Sequence, residues 1–401
     1  MRIEGKHIIL GVTGSISAYK SAAVASHLTQ LGAHVDVIMT KNACQFITPM
    51  TFETLTHRRV FTDTFENDFT GEVAHIALAR RADLVLIAPA SANLIGKLAH
   101  GIADDMLTTT LLAVKAPVWL APAMNSDMFE HIAVQENLAL LRKRGLHIIE
   151  PASGLLACGT SGRGRMPEPD SLVERVVQEI ALEKKLRGRH VLVSAGATRE
   201  FLDAVRFLSN PSTGKMGLAC ARVARMMGAE VTLVCGHLEV PVPDGMRVIR
   251  VTSAAELGEA MFEQAERADM VIMTAAVSDF TPRERVTHKV HKTDAETNLA
   301  FVPTTDILKT LGARKRDGQF VCGFCMETDD LVARAEQKLK TKNADMIVAN
   351  ALNAPGCGFG HDTNGVTIVT RHDKIQLPLA SKEDVALQIF EKILEMTHQA
   401  L

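Results

Sequence analysis

HIILGV at His7–Val12, running into Thr13-Gly14-Ser15, and HVLVS at His190–Ser194, running into Ala195-Gly196-Ala197-Thr198, decide the fold. Both are short apolar runs without polar alternation, as in a strand buried on both faces of a parallel sheet. Each opens onto a loop of small residues. The spacing then predicts a helix from about Ile16 to Leu31, closed at Gly32, and another from about Lys215 to Gly228, glycine being a favoured helix stop. Working outward, Val35–Met39 (VDVIM), Leu84–Ala88 (LVLIA) and Val118–Ala121 continue the first series of strands, and Val231–Cys235 (VTLVC) and Val271–Thr274 continue the second. The Leu84 and Val271 strands share an Ala-Asp entry, Ala82-Asp83 and Ala268-Asp269. Equivalent pieces lie about half the chain apart. Strands alternating with helices imply two doubly wound, Rossmann-like α/β domains of similar size. The charged helical stretch Ser171–Arg189 is the expected junction, giving domains 1–188 and 189–401. In such sheets ligands bind at the carboxyl ends of the strands, near the point where the strand order reverses.

The length of 401 residues suits two domains. With 47% apolar and 22% charged residues, the chain is a folded one. A net charge of −2 argues against a general affinity for nucleic acid or anionic membrane, and 4% aromatic residues argue against a base-stacking platform. No apolar run approaches the roughly 18 residues of a membrane span. Gly11 and Gly14 interrupt the N-terminal apolar stretch, which reads as a buried strand and not as a signal peptide. Seven scattered cysteines imply no disulfide framework and a reducing, cytoplasmic setting.

Several familiar sites lack their signals. No G-x-G-x-x-G follows the first strand of either half, which removes the main mark of a nicotinamide site. Ser212-Thr213-Gly214-Lys215 resembles the end of a Walker loop but has no upstream glycine. Cys322-x-x-Cys325 has no second pair for zinc and reads as two buried thiols or a dithiol.

In the first half, Gly14-Ser15-Ile16-Ser17 joins a strand to a helix, where free N–H groups favour a phosphate; the plainer reading is a tight turn. Pro89-Ala90-Ser91-Ala92-Asn93 offers small residues for the approach of a flat ligand, or a loop in which Asn93 caps a helix. Asn125, in Pro122-Ala123-Met124-Asn125-Ser126-Asp127-Met128, either holds a carboxylate or caps. The loop Leu156-Ala157-Cys158-Gly159-Thr160-Ser161-Gly162-Arg163-Gly164-Arg165-Met166 reads as a lid, and its arginines favour Cys158 as thiolate. His75 alone would read as structural.

Together these motifs, in this order over about the first 180 residues, closely resemble the flavin-dependent cysteine decarboxylases. The match is strongest to the bifunctional phosphopantothenoylcysteine decarboxylase / phosphopantothenate–cysteine ligase family of coenzyme A biosynthesis. The resemblance implies a flavodoxin-like first domain with FMN, its phosphate near Gly14 and Ser15 and its ring near Thr40, Ser91 and Asn93. It implies His75 as the catalytic histidine, Asn125 as carboxylate holder and Cys158 as proton donor. The implied chemistry is redox-neutral: oxidation of the substrate CH₂–SH to a thioaldehyde lets CO₂ leave, and hydride and a proton are then returned.

In the second half, Ser194-Ala-Gly-Ala-Thr198-Arg199-Glu200 and Asn210-Pro211-Ser212-Thr213-Gly214-Lys215-Met216-Gly217 suit phosphates, or simply a capped helix with a surface lysine. Asp279, in Ala275-Ala276-Val277-Ser278-Asp279-Phe280, suits a cation, a base edge or a turn cap. Arg283, Arg285, Lys289 and Lys292 form a charge run, which is either a solvated face or an anion contact past a strand end. Lys338 and Lys342 share a helix face and repel unless an anion joins them. With Thr305-Asp306-Ile307-Leu308 and Gly323-Phe324-x-x-Glu327-Thr328, these pieces resemble the ligase part of the same family over roughly residues 188–400. The resemblance implies CTP with Mg²⁺, Lys289 supporting formation of an acyl-cytidylate and Asn210 acting on it. Asp279, Asp306, Ile307, Phe324, Lys338 and Lys342 then lie around the nucleotide, with Asp279 as a magnesium ligand. Its implied substrates are phosphopantothenate, cysteine, CTP and phosphopantothenoylcysteine. Its implied assembly is a homododecamer of decarboxylase trimers and ligase dimers. Ala197, Phe201, Ala204, His291 and Cys325-Met326 depart from the family pattern without removing a residue given a chemical role.

Overall fold

The computed structural model describes residues 2–65, 73–155, 161–242, 245–289, 299–327, 330–351 and 356–398. The chain divides into two compact units, Met1–Leu182 and Glu183–Leu401. Lys184 and Leu186 already belong to the second: Lys184 Nζ donates to Met226 O at 2.9 Å and the Leu186 N–H to Met227 O at 2.8 Å.

In the first unit, β1 (His7–Val12), β2 (His34–Met39), β3 (Val60–Phe61), β4 (Leu84–Ala90), β5 (Val118–Pro122) and β6 (His147–Ile148) form one parallel sheet. Its order is β3-β2-β1-β4-β5-β6. Without the two-residue edge strand β3, this is the 2-1-3-4-5 order of a flavodoxin-like sheet. The helices are α1 (Ala18–Gln30), α2 (Pro49–Thr56), α3 (Ala74–Arg81), α4 (Ala92–His100), α5 (Met106–Ala113), α6 (Ser126–Glu130), α7 (Ile132–Lys143) and α8 (Pro169–Ile180). A hairpin, β7 (Ala152–Leu155) with β8 (Ser161–Arg165), lies outside the sheet. The all-apolar strands are what a two-faced sheet requires: every residue of β4 is buried, and Ile9, Ile38, Val85, Ile87 and Leu120 meet helix residues such as Leu94 and Leu107. Asp36, 2% exposed in the middle of β2, is paired there with Arg58 Nε and Arg81 Nη2, each at 2.8 Å.

The second unit repeats the plan. Its strands and helices run β9 (His190–Ala195), β10 (Arg199–Phe201), β11 (Phe207–Ser209), α9 (Lys215–Met226), β12 (Glu230–Cys235), β13 (Arg247–Arg250), α10 (Ala254–Ala265), β14 (Met270–Met273), β15 (Phe280–Pro282), β16 (Phe301–Pro303) and α11 (Ile307–Arg314). They continue through β17 (Phe320–Glu327), α12 (Leu331–Thr341), β18 (Met346–Ala351), β19 (Thr363–Asn364), β20 (Val366–Thr370), β21 (Lys374–Gln376), β22 (Ala380–Ser381) and α13 (Lys382–His398). The main sheet is ordered β13-β12-β9-β14-β17-β18-β20-β21, so its first six strands follow the 3-2-1-4-5-6 Rossmann order. Strands β20 and β21 are added antiparallel at the edge. Gly217 lets α9 lie close on the sheet: a Cβ there would stand 2.5 Å from both Ala195 Cβ and Thr274 Oγ1.

The duplicated Ala-Asp entry has one structural meaning. The His7 N–H donates to Asp83 Oδ2 at 2.8 Å, and the His190 N–H donates to Asp269 Oδ2 at 2.7 Å. Asp345 does the same for the Val321 N–H at 2.9 Å. In each case the carboxylate before one strand accepts from an amide at the start of its neighbour, the first residue in β1 and β9 and the second in β17.

Candidate active sites

Reversal of strand order places the expected crevice of the first unit between β1 and β4. Thr13 joins the two loops there: its Oγ1 donates to Pro89 O at 2.8 Å and accepts the Ser91 N–H at 2.9 Å. Helix α1 starts at Ala18, two residues after the expected Ile16, because the Ala18 N–H closes a turn on Ser15 O at 3.0 Å. Among the described residues the N–H groups of Gly14, Ser15 and Ile16 have no protein acceptor, which leaves a row of donors beside a helix start. Such a row fits the phosphate of a flavin nucleotide. Thr40 follows β2, and its Oγ1 accepts the Ala43 N–H at 3.2 Å. Ser91 is the N-cap of α4, accepting the Leu94 N–H at 3.3 Å; Asn93 is exposed one residue inside that helix and does not cap it.

Asn125 caps α6, accepting the Asp127 N–H at 2.8 Å. The hairpin β7–β8 is fitted against this turn. The Met124 N–H donates to Gly164 O at 3.0 Å, and a Cβ on Gly164 (φ +132°) would stand 2.3 Å from Met124 O. A Cβ on Gly162 would stand 2.2 Å from Ser126 Oγ, itself a buried hydroxyl without a partner among the described residues. The glycines on either side of Arg163 thus serve close approach, and Arg163 lies over the Phe129 ring at 5.6 Å. Cys158 falls between the hairpin strands and outside the described residues. His75 is half-buried as the second residue of α3.

In the second unit a cavity of about 940 Å³ opens at the carboxyl ends of β14, β17 and β18, beside the start of α9. Asn210, Asp279, Asp306, Ile307, Phe324, Lys338 and Lys342 all line it. Asn210 Nδ2 donates to Ala276 O at 3.3 Å and Val277 O at 3.2 Å, which fixes its carboxamide against the β14 loop. Asp306 caps α11, accepting the Lys309 N–H at 2.9 Å, and also accepts from Lys342 Nζ. Burial alone would raise the Asp306 carboxyl, but the Lys342 bond, the Lys309 amide and the Lys338 charge outweigh it and hold it below the ordinary value. Lys338 Nζ donates to Phe324 O at 2.8 Å. Lys338 and Lys342, expected to repel, thus each have a protein acceptor of their own. Lys289 is exposed and not among the lining residues, and Lys292 lies outside the described residues. Arg285 packs over the Phe201 ring at 5.2 Å.

Asp279 is exposed at the rim, and among the described residues no group of three or more His, Cys, Asp or Glu side chains converges. A magnesium ion here fits only with most of its oxygens supplied by a triphosphate, which is its usual mode beside one carboxylate. Cys322 and Cys325 lie buried within β17, where burial pushes the Cys325 thiol up to about 11 and Cys322 well above its ordinary value; neither is poised as a thiolate. The lining residues that went unanticipated include Lys382 and the buried carboxamides of Asn350 and Asn364, whose Oδ1 atoms have no partner among the described residues. For Asn350 a signal existed, a lone polar residue in the apolar run Met346–Ala351.

The Flavoprotein family model matches residues 2–181, and that of the DNA/pantothenate metabolism flavoprotein C-terminal domain matches residues 186–396. The chain is similar to the coenzyme A biosynthesis bifunctional protein CoaBC of Bacillus subtilis (strain 168), with 47% identity over 401 residues, 99% of this chain and 98% of that protein. It is also similar to a cysteine/cysteine sulfinic acid decarboxylase of an unknown prokaryotic organism, with 46% identity over 358 residues, 88% of this chain and 100% of that protein. Among solved structures, the C-terminal domain of a coenzyme A biosynthesis bifunctional protein CoaBC is 39% identical, covering 54% of this chain and 100% of that chain with a TM-score of 0.47.

Proposed function

This chain belongs to the bifunctional coenzyme A biosynthesis proteins, a decarboxylase joined to a ligase, and from that membership we propose which half performs which reaction and with which residues. The second unit is the ligase. Phosphopantothenate's carboxylate attacks the α-phosphorus of CTP, expelling pyrophosphate; cysteine's amine then attacks the acyl-cytidylate and expels CMP. The observation that carries this reading is the convergence of residues from Asn210 to Lys342 on one cavity. Lys338 and Lys342 offset phosphate charge, and Asp306, Ile307 and Phe324 frame the nucleotide. Asn210, held by two carbonyls, orients the acyl-cytidylate. Lys289 supports the charge that develops in the first step. Mg²⁺, when bound with the triphosphate, would offset its charge, and Asp279 would be its protein contact.

The first unit is the decarboxylase of phosphopantothenoylcysteine. FMN, when bound, supplies reversible two-electron oxidation of the thiol-bearing carbon. The free amides of Gly14 and Ser15 hold its phosphate, and Thr40, Ser91 and Asn93 surround it. Asn125 orients the substrate carboxylate, His75 is the catalytic histidine, and Cys158 delivers the final proton. From the family membership we also propose an assembly of trimers and dimers into a dodecamer, which light scattering measures; Ile16 and Tyr19 in the first unit and Val205 and Leu208 in the second are exposed apolar side chains available for subunit contacts.

The test mixes purified protein with phosphopantothenate, cysteine, CTP and Mg²⁺ and looks by mass for phosphopantetheine. Ligated product without decarboxylation overturns the first-unit assignment. No pyrophosphate release overturns the second. Free cysteine and cysteine sulfinate, offered separately, test the activity named for the second relative as the alternative for the first unit.

A further inference from the structure

Lys382 opens α13 and is 6% exposed, yet among the described residues no carboxylate forms an ion pair with it, although the Asp362 charge is near enough to favour the ammonium. Its ammonium donates instead to three backbone carbonyls: Gly358 at 3.1 Å, Phe359 at 3.5 Å, and His361. All three N–H bonds of the ammonium are thus satisfied by one short loop. Burial pulls the Lys382 pKa down, and the charge of Lys215 pulls it down further. A buried cation is costly, and an apolar side chain would fill the same place at less cost. Its use here calls for a reason other than stability.

The loop supplies one. Gly358-Phe359-Gly360-His361-Asp362 follows Gly356, so it is rich in glycine and loses much conformational entropy when ordered. It is strapped on its other side by the start of α9. Thr213 Oγ1 donates to Phe359 O at 2.7 Å, and Lys215 Nζ donates to Gly360 O at 2.9 Å and pairs with Asp362 at 2.6 Å. Gly358 and Phe359 line the cavity beside Gly214. Asp306, Phe324, Lys338 and Lys342, taken above as nucleotide contacts, come from β17, α12 and the start of α11 and are not part of this loop.

We propose that Lys382 is a positioning residue of the ligase site, holding the Gly358–Asp362 loop as a fixed wall where α9 meets the cavity and so setting affinity for the phosphorylated carboxylic acid. The inference rests on the assignment of this cavity to the ligase reaction. Without the ammonium the loop samples open states, and the ligand must order it on binding. That cost appears in KM, because the groups acting on the acyl-phosphate bond are held by other elements.

The test uses the full chain with Lys382→Met, which keeps the stem and removes the charge. Pyrophosphate release is followed against phosphopantothenate and against CTP, and decarboxylation of added phosphopantothenoylcysteine monitors the rest of the chain. We expect KM for phosphopantothenate to rise roughly tenfold or more, kcat and KM for CTP to stay within about threefold, and amide exchange across 358–362 to quicken. Unchanged KM, or a fall in kcat alone, overturns the proposal, as does unchanged exchange in the loop. If Lys382→Met does not fold, Thr213→Val removes the opposite strap; a smaller KM rise supports the proposal, and wild-type KM overturns it. Failure of the underlying assignment looks different: Asn210→Ala and Lys342→Ala would leave ligation intact, while loop exchange in Lys382→Met would still report on the clamp.

Discussion

Lys289 and Asp306 are both charged residues of the proposed ligase site, but they are held in different ways. Lys289 is exposed, so removing it leaves no buried group unpaired. Lys289→Ala is expected to change stability by no more than about 0.5 kcal/mol. Its loss as an electrostatic group is expected to lower kcat for pyrophosphate release by roughly 10²-fold. A thermal melt beside the kinetic assay checks both; intact turnover removes Lys289 from the reaction. Asp306 is tied by Lys342 and by the first turn of α11, and its carboxyl titrates low. A depressed folded value means that its stabilising contribution is present above the unfolded carboxylate pKa and is lost as pH falls through the folded one. Carboxyl-detected NMR titration is expected to place Asp306 below the ordinary value, and Lys342→Met is expected to raise it. A wild-type titration at or above about 3.9 would show that burial wins over the lysine.

Among elements, the hairpin β7–β8 carries the most specific requirement. Gly164 has a left-handed φ and no room for a side chain beside the Met124 carbonyl. Gly164→Ala must push the hairpin away from the Asn125 turn, at a cost of roughly 1–3 kcal/mol. Decarboxylation is expected to fall well below wild type while ligation in the same chain stays normal; equal loss of both would point to general unfolding instead. The strands themselves were legible as unbroken apolar runs, and so was the pinning carboxylate, since Asp83 and Asp269 recur at matched places. The caps were only half legible. Ser91, Asn93 and Asn125 have the same chemistry in a linear sequence, and only the helix start at Ala92 makes Ser91 the cap and leaves Asn93 outside that role.

For the molecule as a whole, each unit has its own sheet and its own buried cluster, and among the described residues no helix is long and apolar enough to cross a membrane. Division between Leu182 and Glu183 is therefore expected to yield two pieces that each fold, residues 1–182 binding FMN and residues 183–401 releasing pyrophosphate from CTP. Absorption spectra and the ligase assay on the separate pieces check this, and a piece that is insoluble or inactive alone counts against it. The order of residues along the chain was enough to specify the α/β class, the duplication and the loops that carry chemistry, because apolar periodicity and loop composition are local properties. It was not enough to bring Asn350, Asn364 and Lys382 into the cavity, or to set Lys338 and Lys342 on separate acceptors. Those arrangements join residues far apart in sequence, and only the crossovers of the sheet bring a buried ammonium within reach of three carbonyls.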